Sequence, residues 1–113
     1  MSNNDIRPSH TGRLFGVGVG PGDPGLVTLR AAELIRGADV IAFHAGTGKQ
    51  SMARSIVADL LPPGVIEEEL RYPVTTGFAD HPGGYYAALG EFYDDCADRL
   101  ETHLRQGCTV VVL

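Results

Sequence analysis

The stretch Leu14-Phe15-Gly16-Val17-Gly18-Val19-Gly20-Pro21-Gly22-Asp23-Pro24 decides the fold of this chain. It opens on apolar residues that suit a buried strand and then turns on glycines. It closes on a helix-start signal, because Asp23 is a good N-cap and Pro24 fits the first helical position. Gly16, Gly18, Gly20 and Gly22 carry no side-chain bulk, so the backbone there can lie against a ligand or a neighbouring element. A strand, a glycine turn and a helix N-terminus, in that order, is how open α/β sheets build a ligand crevice. A tight strand-to-helix turn with no ligand is the competing reading of the same residues.

The spacing argues against a nucleotide. A dinucleotide fingerprint needs glycines at i, i+2 and i+5. Counting from Gly16 the third position is Pro21, and from Gly18 it is Asp23. A carboxylate at Asp23 also repels a phosphate at a helix N-terminus, where a bound anion wants bare amides. The later run Gly46-Thr47-Gly48-Lys49-Gln50-Ser51 resembles a P-loop only faintly. Phe43 stands where its leading glycine belongs, and Gln50 where a hydroxyl should meet magnesium. A zwitterionic or cationic ligand is compatible with Asp23.

Outward from the glycine stretch, the pattern alternates. Residues 13–19 read as the first strand and 26–36 as a helix, with apolar positions 26, 29, 31, 32, 34 and 35 and Gly37 as its stop. Residues 39–43 are a short apolar strand of the kind covered on both faces. Residues 50–61 predict a second helix with Met52, Ile56, Val57, Leu60 and Leu61 inward, ended by Pro62 and Pro63. Residues 65–70 predict a third strand whose Glu67, Glu68 and Glu69 suit a sheet edge. Residues 72–84 form a long irregular stretch rich in Pro, Thr and Gly, a pattern associated with functional loops. Residues 85–105 predict the clearest helix, with Tyr85, Leu89, Phe92, Cys96, Leu100 and His103 or Leu104 on one stripe. Residues 108–113 predict a fourth strand. Strands alternating with helices predict an α/β fold, a parallel open sheet with flanking helices and right-handed crossovers.

Composition narrows the classes. The 113 residues suit one domain, with residues 1–12 a polar, disordered tail and 13–113 the folded part. A net charge of −5 argues against nucleic acid or an anionic membrane as partner. No run is long and apolar enough for a membrane span. Cys96 and Cys108 lack zinc or disulfide spacing and read as small apolar residues in a reduced, cytoplasmic setting. The four histidines, at 10, 44, 81 and 103, have no metal-ligand spacing, so no metal is expected. His103 reads as a helix-face residue near a C-terminus, where positive charge is mildly favoured.

The stretch from Gly16 through Asp23 to Arg30-Ala31-Ala32-Glu33-Leu34-Ile35 resembles the N-terminal motif of the tetrapyrrole methylases. Ala53-Arg54-Ser55-Ile56, Glu69-Leu70-Arg71-Tyr72-Pro73-Val74-Thr75-Thr76-Gly77 and His81-Pro82-Gly83-Gly84-Tyr85 are similar to the branch of that family acting on C20 of precorrin-2. The resemblance implies methyl transfer from S-adenosyl-L-methionine to a tetrapyrrole in cobalamin synthesis, by an enzyme that is usually a homodimer. It implies that this chain is the N-terminal domain of a two-domain fold, truncated, with the cofactor in the cleft between the halves. On that basis the fragment alone is not expected to catalyse. The alternatives are another tetrapyrrole methyltransferase and a non-catalytic remnant.

The resemblance also assigns residues. Gly20, Pro21, Gly22 and Asp23 fall beside the cofactor. His44 ends the second strand, where the similar uroporphyrinogen methyltransferases carry an Asp thought to act as a base; an imidazole titrating near ~6.5 can do that work. A polycarboxylate substrate needs cations, and Lys49, Arg54 and Arg71 lie in or after loops that should face the cleft. Tyr72, Thr75 and Thr76 can bond substrate or cofactor edges.

Overall fold

A computed structural model of the protein describes residues 11–73 and 83–113. Four strands run β1 (Arg13–Gly16), β2 (Val40–Ala45), β3 (Ile66–Arg71) and β4 (Thr109–Val112). Three α-helices connect them: α1 (Leu29–Arg36), α2 (Met52–Ile56) and α3 (Gly84–Arg105). Two 3-10 turns, Pro24–Leu26 and Ala58–Leu60, precede α1 and follow α2. All strand pairs are parallel, in the spatial order β1-β4-β2-β3. The alternating sequence thus folds as the α/β sheet it predicts.

The strand order dictates where the helices go. The chain steps from β1 to β2 to β3 in one direction across the sheet, then steps back to β4. Right-handed crossovers therefore place α1 and α2 on one face and α3 on the other. The two cores follow that division. Ile41 and Phe43 of β2 join Ala31, Ile35, Val57 and Val111 on the first face. Val40 and Ala42, pointing the opposite way as strand alternation requires, join Leu70, Phe92, Cys96 and Val110 on the second. β2 is paired on both edges and covered on both faces, which is why its residues are the most uniformly apolar.

The edges differ. β3 is an edge strand, as its acidic run suggests, and each of its three glutamates has a basic partner. Glu67 meets Arg54 at 2.6 Å, Glu69 meets Arg71 at 2.6 Å, and Glu68 on the opposite face meets Arg99 and, at 2.8 Å, His103. The other edge is β1, where Leu14 is 52% exposed.

Several boundaries depart from the sequence reading. β1 stops at Gly16, although Val17 N–H still donates to the Val112 carbonyl at 2.8 Å. The helix expected from residue 26 is split. Asp23 caps only a 3-10 turn, because Val27 turns extended (φ −74°, ψ 130°), and α1 starts anew behind Thr28, whose hydroxyl accepts from Ala31 N–H. Leu26 and Leu29 are consequently exposed rather than inward. Met52 is exposed as well, since α2 is only five residues long and turns its other side to the sheet. Gly12, assigned to the tail, is packed: its N–H donates to the Leu104 carbonyl at 3.0 Å. His103 lies on the expected stripe of α3, its side chain 15% exposed and its Nε2 donating to Glu68 at 2.8 Å. The expected disorder of residues 1–10 lies outside the described residues.

Candidate functional site

The carboxyl ends of the strands lie at one end of the sheet, and several of the candidate residues lie there. Register sets their spacing. Gly16 of β1 and Ala42 of β2 both lie level with Val112 of β4. Two strand separations make about 10 Å, so the glycine stretch and the end of β2 face each other across β4.

On the β1 side, Gly20 and Gly22 take φ of +85° and +140°, conformations that a side chain resists. They bracket Pro21 in an exposed turn. Asp23 Oδ1 accepts from Gly25 N–H at 2.8 Å, which holds the turn and leaves its carboxylate at the surface. Gly16 and Gly18 have ordinary φ, and a Cβ added at either would meet nothing within 4 Å. The fold itself does not require glycine at those two positions. They line a recess of about 290 Å³ with Val17, Thr28, Ala31 and Leu34. Open space beside bare backbone is what a closely approaching ligand requires.

On the β2 side, His44 shares the α3-facing side of its strand with Val40 and Ala42. Its ring stacks on Tyr72 at 5.3 Å between centroids and 28° between planes. Phe92 and Tyr93 meet it edge-on at 5.9 and 6.5 Å. His44 Nδ1 is buried without a hydrogen-bond partner among the described residues. The Tyr72 and Tyr93 hydroxyls lie 3.4 Å apart, and that hydrogen bond, with burial, pushes the Tyr72 phenol up to about 12. Backbone bonds fix Tyr72 further: its N–H donates to the Ala45 carbonyl at 2.9 Å, and its carbonyl accepts from Thr47 Oγ1 at 3.1 Å.

The cations are more tied down than their sequence positions suggest. Arg71 Nη1 donates to the carbonyls of Gly46 and Lys49 at 2.6 and 2.7 Å, and its Nε to Glu69. It staples the 46–49 loop to the end of β3. Arg54 grips Glu67 through Nε and Nη2 at 2.6 and 3.1 Å, which holds the Glu67 carboxyl below its usual range. That pair lies with Gln50, Ser51, Ser55 and Glu69 in a polar cleft of about 240 Å³ on the opposite sheet face from His44. Lys49 is exposed on the loop that Arg71 holds. Thr75 and Thr76 lie outside the described residues. The structure thus brings His44 and Tyr72 together on the α3 face, sets Arg71 and the Lys49 loop on the Glu69 side of β3 toward Arg54, and leaves Gly20–Asp23 across the sheet end.

Sequence reasoning passed over three contributors to this corner: Thr47, Phe92 and Tyr93. Phe92 is legible as a core-stripe residue, but its partnership with His44 arises only once α3 packs over β2. No local signal marks Tyr93, which is 48% exposed.

Comparison with known proteins bears on this arrangement. The family described as Tetrapyrrole (Corrin/Porphyrin) Methylases matches residues 13–113. The cobalamin biosynthesis protein CobIJ of Mycobacterium tuberculosis is 51% identical over 105 residues, covering 93% of this chain and 21% of that protein. A precorrin-2 C(20)-methyltransferase of Sinorhizobium is 43% identical over 102 residues, covering 90% of this chain and 42% of that protein. The X-ray structure of a cobalamin biosynthetic enzyme, cobalt precorrin-4 methyltransferase, aligns with a TM-score of 0.49 at 26% identity, over 95% of this chain and 35% of that one. The chain therefore spans less than half the length of these relatives. On the match across residues 13–113, this chain belongs to the tetrapyrrole methylase family.

Proposed function

We propose that the protein acts in cobalamin synthesis by transferring a methyl group from S-adenosyl-L-methionine to C20 of precorrin-2. The observation that carries this reading is the glycine stretch, whose Gly16 and Gly18 leave space the fold does not use. It lies two strands away from β2, which carries His44 just beyond the level of Gly16. The similarity to a C20 enzyme over 90% of the chain supports the choice of ring carbon.

The residues fit such a cofactor. Gly20, Pro21 and Gly22 offer a bare turn for its edge, and the Asp23 carboxylate at the surface suits its ammonium group. S-adenosyl-L-methionine supplies an electrophilic methyl on a sulfonium, and no metal is needed for its transfer. The protein's task is alignment and exclusion of water. Tyr72 and the loop stapled by Arg71 shape the substrate side. Lys49 and Arg71 set positive charge toward the substrate carboxylates, and Arg54 contributes its charge from the neighbouring cleft. Thr75 and Thr76, which follow Tyr72 in sequence, are assigned to bonding substrate or cofactor edges. His44 presents an imidazole at the reacting end. The protein works in the cytoplasm, as a homodimer in its longest form.

The test incubates the longest natural polypeptide carrying this sequence with S-adenosyl-L-methionine and precorrin-2. The expected product is one methyl heavier, with the new carbon at C20. An unchanged substrate mass overturns the reading; a methyl at another ring carbon overturns only the assignment to C20.

A further inference from the structure

We propose that His44 presents an Nε2–H donor, set at a fixed angle by Tyr72, and that this donor takes a carboxylate or carbonyl oxygen of the bound substrate. The proposal rests on the reading above for the identity of that substrate, and on the structure alone for the state of the ring.

A neutral imidazole carries one N–H and one lone pair. In most enzymes the choice between the two nitrogens is made by a carboxylate or carbonyl that bonds one of them. Among the described residues no such group serves. Nδ1 is buried and has no partner among the described residues, and the walls around the ring are Tyr72, Phe92 and Tyr93. Putting the proton on Nδ1 would bury a donor with nothing to accept it. Leaving a bare lone pair there is cheaper, since unsatisfied acceptors are better tolerated than orphaned N–H groups. The proton therefore sits on Nε2, which, unlike Nδ1, is not a buried and partnerless atom of this half-buried ring.

This tautomer changes what His44 can do. The nitrogen within reach of a substrate donates a hydrogen bond; the nitrogen able to accept a proton faces aromatic walls. His44 then binds and orients an oxygen of the substrate, in place of the base role that the matching Asp of similar enzymes suggests. Tyr72 is a positioning residue. Anchored at its N–H, its carbonyl and its hydroxyl, it offers a rigid face, and the 28° stack against it sets the imidazole plane.

Long-range proton–nitrogen NMR of the ring reads the tautomer directly in this chain. The expected spectrum has a pyrrole-type Nε2 and a pyridine-type Nδ1, with ring protons shifted by the stacked phenol. Tyr72→Phe should keep this pattern, and Tyr72→Leu should lose the ring shift and average the two nitrogens. A protonated Nδ1 in the wild type, or averaged nitrogens without ring-current shifts, overturns the proposal. In the methyl-transfer assay, a donor predicts that His44→Ala raises KM roughly 10- to 100-fold with kcat less affected, and that His44→Gln restores much of it. A collapse of kcat in both variants means a base and overturns the donor role. Failure to bind S-adenosyl-L-methionine, with the Nε2–H pattern intact, defeats the functional reading and not the state of the ring.

Discussion

Gly12→Ala offers a demanding check on how β1 is seated. A Cβ at this position would lie 2.4 Å from the Cys108 carbonyl oxygen and 2.8 Å from both Cα and O of Leu104. All three are backbone atoms of the α3–β4 turn, so no side chain can swing aside, and β1 must move. Two hydrogen bonds go with it: Gly12 N–H to Leu104 O at 3.0 Å and Arg13 N–H to Cys108 O at 3.2 Å. Their loss costs about 2 kcal/mol at ~1 each. Forced overpacking adds ~1–3 kcal/mol. Alanine returns ~0.4–1 kcal/mol by restricting the unfolded chain. The net is a destabilisation of about 2–5 kcal/mol, which for a domain of this size lowers Tm by roughly 8–20 °C. Thermal unfolding followed by circular dichroism measures it, with Gly16→Ala as the control, since that position meets nothing within 4 Å. A Gly12→Ala protein melting with the wild type would refute this placement of the strand.

Other outcomes follow from single contacts. Thr28→Ala removes the cap on Ala31 N–H and should cost about 1 kcal/mol in urea unfolding, whereas a cap at Asp23 alone would leave stability unchanged. Gly16→Ala and Gly18→Ala should both fold normally yet weaken S-adenosyl-L-methionine binding in calorimetry; unaltered affinity would detach the recess from the cofactor. Burial alone would raise the Glu68 carboxyl, but hydrogen bonds from His103 and Arg99 outweigh it and hold its pKa below the ordinary value. The stabilisation is therefore present above about pH 4.3, the unfolded value, and is lost as pH falls through the lower folded one. Glu68→Gln should flatten that acid limb in melts from pH 5 to 2. In a spectrophotometric titration one tyrosine, Tyr72, should ionise near 12, and Tyr93→Phe should bring it down, because the Tyr93 hydrogen bond is the main cause.

Much of this architecture was legible residue by residue. Helix and strand alternation predicts the parallel sheet, Gly37 ends α1, and three consecutive glutamates mark β3 as an edge strand. The misjudged parts depended on competition or distance. Asp23-Pro24 and Thr28 are both good helix starts five residues apart, and the extended backbone at Val27 gives α1 to Thr28. Arg54 and Arg71 look like free cations because their partners, Glu67 and the carbonyls of Gly46 and Lys49, come from other elements. The pairing of His103 likewise needs Glu68, 35 residues away. The candidate site shows the same split. The glycine turn announces itself by composition alone. The aromatic corner around His44 is assembled from β2, the end of β3 and α3, and no local pattern encodes it.

Calorimetric titration of S-adenosyl-L-methionine into the longest natural polypeptide carrying this sequence tests the central claim most directly. Saturable one-site binding is expected, displaced by S-adenosylhomocysteine and weakened by Gly18→Ala. No heat of binding in a folded protein would contradict it and return the glycine stretch to a structural turn.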